Sequence, residues 1–260
     1  MFGPHDGIRV EPPPYRRMMS FLMRGRNESA VYFEQHLDLS RTLPWIAERN
    51  ASGAARITVF HVVLHSLAWL LHERERLNRF TVRRRTYQRR GVFLSFAAKK
   101  QMSDEAPLAT VKRKFEAGES FDAMVRELTG DITDARSDRP SSIDKELGIL
   151  LALPGFLLGF LIGLMKRLYS WGLAPRSLVD TDPMYTSAFV ANLGSLKIDA
   201  AYHHLFEHGN CPLFMTMGKV ENNIVTLRFT YDERVEDGLY CAKSLQLLAQ
   251  RIEDPASYIR

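Results

Sequence analysis

Phe229-Thr-Tyr-Asp-Glu-Arg-Val-Glu-Asp-Gly238 is the stretch on which the reading of this 260-residue sequence turns. It emerges from an apolar run, Ile224 to Tyr231, that reads as a strand. It leads into an amphipathic run, Asp237 to Ile252, that reads as a closing helix stopped by Asp254-Pro255. Upstream, Leu213 to Lys219 and Ser187 to Asn192 read as further strands, with a short helical turn predicted at Ala200 to His208.

Nearer the N-terminus, Ala30 to Leu39 alternates as a strand, Asp38 to Arg49 looks helical, and Thr58 to Asn78 carries an apolar helical face. Two strands are expected at Phe80 to Gln88 and Val92 to Ala98, then helices at Pro107 to Phe115 and at Ser120 to Arg136. Tyr15 to Arg26 suits a short amphipathic helix. Residues 1–14, ending in Pro12-Pro13-Pro14, are expected to form an extended arm. No βαβ rhythm is present, which points to a single α+β domain over residues 15–260: a mixed sheet flanked by helices.

Composition agrees with a globular chain. Hydrophobic residues make up 45% and charged residues 25%, which excludes wholesale disorder, a collagen-like fibre and a multi-span membrane protein. The formal charge of +5 favours anionic partners without choosing among them. Cys211 and Cys241 cannot make a disulfide framework or a four-cysteine zinc site, and Met1 to Pro14 lacks an apolar signal core. A cytoplasmic setting is the expectation.

The quoted stretch, with its following helix and Ile252-Glu-Asp-Pro255, resembles the end of the acyltransferase catalytic domain of 2-oxo acid dehydrogenase complexes, a relative of chloramphenicol acetyltransferase. Phe189-Val-Ala-Asn-Leu-Gly194 is similar to that family's Ile-Ser-Asn-Leu-Gly strand. Pro212 to Gly218 is similar to the strand ending in a glycine before the final hairpin, and Tyr15-Arg-Arg-Met18 to the N-terminal Arg-Arg helix. The resemblance implies a homotrimer with active sites at subunit interfaces and coenzyme A or acyl-CoA as substrate. It also implies a histidine general base, an oxyanion-stabilising hydroxyl, and an aspartate, here Asp237 beside Gly238, paired with Arg16 or Arg17.

The chain departs from that pattern at both chemical positions: Glu233 stands where the family has histidine, and Ala191 where it has serine. Asn192, Gly194, Asp237 and Gly238 remain. Losing a general base costs about 10²–10⁴ in rate and losing an oxyanion donor about 10²–10³, so histidine-based transfer of the usual kind is not expected. Glu233 is either a base raised in pKa by burial or an ion-pair partner of Arg234 or Arg16. His203 and His204, followed by His208, are the nearby substitutes for the missing base. His204 and His208 also have metal-ligand spacing, but nothing completes a zinc site, and no metal is expected.

Leu147 to Met165 carries no charge, and Gly155, Gly159 and Gly163 recur four apart within it. This apolar helical insert, at about 147–165, has three readings: burial against the domain or another subunit, contact with a membrane surface or acyl chain, or a span. A span conflicts with a single sheet and with Pro154 in its interior. Arg83-Arg84-Arg85 and Arg89-Arg90 form a cationic patch lacking any nucleic-acid-binding motif, and no nucleic acid partner is expected. Three functions follow as expectations: an acyltransferase with altered or impaired chemistry, a non-catalytic trimeric scaffold or binding module (a pseudoenzyme), and a membrane-peripheral protein acting through residues 147–165.

Overall fold

The computed structural model describes residues 3–52, 55–99, 108–136 and 151–259. Nine-residue alternation makes Ala30–Asp38 (β2) a strand, and it pairs antiparallel along its whole length with Ile224–Asp232 (β9). β9 in turn pairs antiparallel with Leu213–Glu221 (β8), which lies parallel to Ala188–Asn192 (β7). β7 is parallel to Val92–Lys99 (β5), and β5 forms an antiparallel hairpin with Leu108–Phe115 (β6). The result is a mixed six-stranded sheet in the order β2-β9-β8-β7-β5-β6.

One face of this sheet is covered by Val59–Glu73 (α3), Phe121–Arg136 (α4) and Gly238–Glu253 (α7). α3 is apolar nearly all round: Val62, Val63, Leu64, Leu67, Leu70 and Leu71 are all buried against the strands, as expected of a helix sandwiched between layers. Its first turn is closed by a capping box in which the Thr58 backbone N–H donates to His61 Nδ1 at 3.0 Å. Thr42–Ala51 (α2) and the terminal turn Pro255–Tyr258 (α8) pack on this layer's rim.

Several expectations need correction. Residues 108–115 are strand β6 rather than a helix, because Val111, Arg113 and Phe115 face inward while Thr110 and Lys114 face out, a period of two that pairing with β5 satisfies. Pro107 lies outside the described residues. Phe80 to Gln88 is two strands, Arg79–Val82 (β3) and Arg85–Arg89 (β4), reversing through Arg83 and Arg84 at φ 49° and 62°. Two consecutive left-handed residues match a tight hairpin turn with native twist, adopted here without the usual asparagine or glycine. The N-terminal arm contains strand Gly7–Val10 (β1), which adds to that hairpin to make a second, three-stranded sheet β1-β4-β3.

Pro14 is the first residue of helix Pro14–Leu22 (α1), where its missing N–H costs nothing. The helix starting at residue 59 ends at Glu73 and is followed by a 3₁₀ turn, Glu75–Asn78. Residues 200–208 form no helix.

Within the apolar insert, residues 147–150 lie outside the described residues. The rest contributes Gly155–Trp171 (α5), followed by Arg176–Thr181 (α6). Only the C-terminal end of α5 is buried, where Met165, Leu168 and Tyr169 pack with Phe80, Tyr87 and Tyr185. Phe156 is 81% exposed and Phe160 64% exposed, so among the described residues the rest of α5 is not buried against its own domain. No helix among the described residues is long and apolar enough to cross a membrane.

Candidate functional site

The sequence Asp232-Glu-Arg-Val-Glu-Asp237 continues β9 for one further ladder bond, the Glu233 N–H donating to the Ser29 carbonyl at 2.9 Å, before turning into α7. Residues 233–235 then form a turn, in which the Val235 N–H donates to the Asp232 carbonyl at 3.0 Å and the Arg234 N–H to Asp232 Oδ1 at 3.0 Å, bringing the side chains of Asp232 and Arg234 together. There the Arg234 guanidinium grips the Asp232 carboxylate with Nε at 2.8 Å and Nη2 at 2.7 Å. The Ser29 hydroxyl donates to the same carboxylate at 2.9 Å, and Arg234 Nη1 donates to the Arg24 carbonyl at 3.1 Å beyond the end of α1. Both charges are buried. The sequence offered Arg234 or Arg16 as an ion-pair partner of Glu233, and neither guanidinium pairs with its carboxylate among the described residues.

Arg16, on α1, donates through Nη1 to the Glu233 backbone carbonyl at 2.8 Å and lies 3.5 Å from the Asp237 carboxylate. Asp237 caps α7: its Oδ1 accepts the Tyr240 N–H at 2.8 Å, which with Arg16 beside it holds its carboxyl below the usual range. Gly238 opens the helix. Arg17 points outward, 3.5 Å from Glu11. With Arg16 and Arg234 both engaged elsewhere, the half-buried Glu233 side chain has no hydrogen bond or ion pair among the described residues.

Ala191 and Asn192 end β7. The Asn192 side chain accepts the Ser195 N–H at 3.1 Å and caps a 3₁₀ turn, Leu193–Leu196. Gly194 in that turn lies against the Gly218 backbone so closely that a Cβ would collide with it. Gly218 does not end its strand: β8 runs on to Glu221 past an irregularity between Met217 and Val220.

The register separates the two chemical positions. Ala191 stands opposite Thr216, and Thr216 opposite Arg228. Glu233 lies five residues beyond Arg228, roughly 16 Å along the sheet and two strand spacings, roughly 10 Å, across it. Glu233 and Ala191 of one chain therefore do not meet.

His203 lies on the sheet face opposite α3, stacked on Phe214 with ring centroids 3.9 Å apart and planes within 6°. His204 stacks on its other side at 4.4 Å and is exposed. His203 Nδ1 is 2.8 Å from the His204 carbonyl. A carbonyl only accepts, so Nδ1 carries the proton and Nε2 presents a lone pair. Burial pushes the His203 pKa down, which favours this neutral form. His208 is engaged elsewhere, with Nε2 at 2.6 Å from Asp182. Among the described residues no cluster of three or more His, Cys, Asp or Glu is placed to hold a metal ion.

The arginine patch does not form one surface. Arg83 and Arg84 occupy the hairpin turn near Trp171 and Phe21, whereas Arg89 is buried on Asp6 and Asn210. The Asp232–Arg234 clamp is the element that sequence reasoning missed. Its signal was the i, i+2 spacing of opposite charges where a strand gives way to a turn opened by an aspartate.

No protein-family profile and no curated protein sequence matches this chain. Solved structures do resemble it. A probable dihydrolipoamide acetyltransferase from Listeria monocytogenes superposes with a TM-score of 0.58 at 14% identity, over 95% of this chain and 94% of that one. The truncated catalytic core of the 2-oxoacid dehydrogenase multienzyme complex from Thermoplasma acidophilum gives 0.61 at 13% identity, over 95% and 98%. A chloramphenicol acetyltransferase gives 0.55 at 12% identity over the same shares. The sheet order, the Asn-Leu-Gly turn and the loop before α7 thus belong to a chain with the fold of 2-oxo acid dehydrogenase acyltransferase catalytic domains and chloramphenicol acetyltransferase.

Proposed function

We propose that this protein is a thioester acyltransferase with a rebuilt site, taking coenzyme A or an acyl-CoA and acting as a homotrimer. The observation that carries the reading is the free Glu233 carboxylate. The surrounding charges are bound into the framework by Arg16, Asp232, Arg234 and Asp237, and the side chain in the reacting position is left unpaired. The separation of Glu233 from Ala191 along the sheet supports the trimer, because one chain's Glu233 would face the β7 end of a second copy.

In the chemistry proposed, Glu233 or the Nε2 lone pair of His203 accepts the proton of an acceptor thiol or hydroxyl as it attacks the thioester carbonyl. The proton passes to the departing coenzyme A thiolate when the tetrahedral intermediate collapses. His204, exposed beside His203, fixes its tautomer through the backbone carbonyl. Ala191 supplies no side-chain donor to the oxyanion, and this favours a second reading, a non-catalytic trimeric scaffold that retains the ligand channel.

The test is chromatographic measurement of the acylated acceptor and of free coenzyme A formed from acetyl-CoA or a long-chain acyl-CoA with a dithiol acceptor, alongside calorimetric titration with coenzyme A. The first reading expects transfer that falls about 100-fold or more in Glu233→Gln or in His203→Ala. Transfer unchanged in both variants overturns the mechanism. Saturable coenzyme A binding without transfer supports the scaffold, and absence of both removes the family ligand altogether.

A further inference from the structure

A cavity of about 800 Å³ lies beneath the N-terminal strand and is separate from the Glu233 loop. Its roof is β1, which can lie flat because Gly7 has no Cβ: one there would press on Phe80 and Tyr87 at 2.7–2.9 Å. Its walls are β4, β5, β6 and α6.

The charges divide into two sets. Arg89 and Asp6 neutralise each other at 3.2 Å, and Asp6 also accepts from Asn210 Nδ2 at 2.7 Å and from the Tyr169 hydroxyl at 2.8 Å. That set is a fixed wall. Lys112, Arg90 and Arg176 form the second set. Among the described residues Lys112 Nζ donates to the carbonyls of Val179 at 2.9 Å and Asp182 at 3.2 Å and has no carboxylate within ion-pair distance, while the carboxylates of Asp182, Asp180 and Asp6 act on it from farther away. The side chains of Arg90 and Arg176 have no hydrogen bond or ion pair among the described residues. Against these three cations stand Asp180, 3.8 Å from His5, and Asp182, which is shared with His208 at 2.6 Å, besides Asp6, which is held by Arg89. Burial pushes the Lys112 ammonium down to about 8, with Arg89 adding in the same direction. A bound anion would relieve both effects.

We propose that this cavity binds a small polyanion carrying at least two phosphate or carboxylate groups, held by Lys112, Arg90 and Arg176. Two arginines suit planar bidentate contacts to such oxygens at the mouth, and Lys112 supplies a point charge at the inner wall. The volume accommodates a ligand larger than a single inorganic ion.

The test is calorimetric titration of the full chain with inorganic pyrophosphate and, separately, with citrate, at fixed ionic strength. The expected result is saturable binding of at least one, with Kd raised tenfold or more in Arg90→Ala/Arg176→Ala and in Lys112→Met. Arg83→Ala/Arg84→Ala, in the hairpin turn outside this cavity, should leave Kd unchanged. Binding of pyrophosphate alone assigns a phosphate ligand, and binding of citrate alone a carboxylate ligand. Absence of saturable binding to either probe overturns the proposal. So does binding that the first two variants do not weaken. Arg90 and Arg176 are exposed, so their double variant folds and keeps the test decisive even if Lys112→Met does not.

Discussion

Arg234→Met is the perturbation that most directly tests how the Glu233 loop is held. The Asp232 side chain is 1% exposed and that of Arg234 7% exposed, so neither charge is solvated once its partner is lost. The substitution removes two charge-assisted bonds to Asp232 and the tie to the Arg24 carbonyl. It leaves the carboxylate with the Ser29 hydroxyl and one backbone N–H. Breaking a buried pair from one side costs about 3–5 kcal/mol, because a charge is left uncompensated. The surviving donors place this case toward about 3 kcal/mol. Asp232→Asn should cost a similar amount. The double variant should cost clearly less than the sum, with a coupling of about 1–3 kcal/mol, since it strands neither member of the pair, while the buried Arg26, on which Asp232 also acts, keeps its bonds to the Phe206 and Gly209 carbonyls. Urea unfolding at one fixed protein concentration measures all three. Coenzyme A titration of Arg234→Met reads whether the loop has moved. A single-variant cost within about 1 kcal/mol of zero, or two costs that simply add, would refute the clamp.

Acid should destabilise the fold through α3. Burial pushes His61 and His65 down to about 4, so the folded state holds them neutral while the unfolded chain binds protons below about 6.5. Their contribution is complete above about pH 6.5 and declines as pH falls through the folded value of about 4. By pH 5 it has dropped by about 2 kcal/mol per histidine, visible as a falling urea midpoint between pH 7 and pH 5. A flat midpoint over that window contradicts the assignment. Gly194→Ala should cost about 1–3 kcal/mol through overlap with the Gly218 backbone, lowering Tm by several degrees; an unchanged Tm would mean that the turn relaxes freely. Ala191→Ser, which adds a hydroxyl donor at the end of β7, should raise thioester transfer tenfold or more. No gain would place oxyanion stabilisation elsewhere.

Much of the fold was legible because its signals are local. β2, β8, β9, α3 and α7 carry strong periodicity, and the loop from Asp232 to Gly238 could be aligned residue by residue with a known pattern. β6 was misread because Val111, Lys112, Arg113 and Lys114 satisfy a helical face as readily as an alternating one, and only pairing with β5 decides between them. The hairpin at Arg83-Arg84 was missed because neither residue advertises a left-handed turn. The assignment of charges was the least legible level. Arg16, Arg234, Asp232 and Glu233 offer several chemically equivalent pairings, and the sequence cannot say which side of the strand end each occupies. The cationic cavity was invisible for a related reason. Arg90, Lys112 and Arg176 come from three segments with no motif in common, brought together under a strand within what read as an extended arm.

The pairing of β2 with β9 also orders events during synthesis. Asp38 leaves the ribosome with its partner Ile224 still to be made, an interval of roughly 10–40 s at about 5–20 residues per second. Throughout that time β2 is an unpaired strand edge, and Arg16 has neither the Glu233 carbonyl nor Asp237 to bind. The loop that carries Glu233 is therefore among the last parts of the domain to be assembled, and until the closing hairpin emerges the nascent N-terminal third exposes a strand edge open to pairing with other chains.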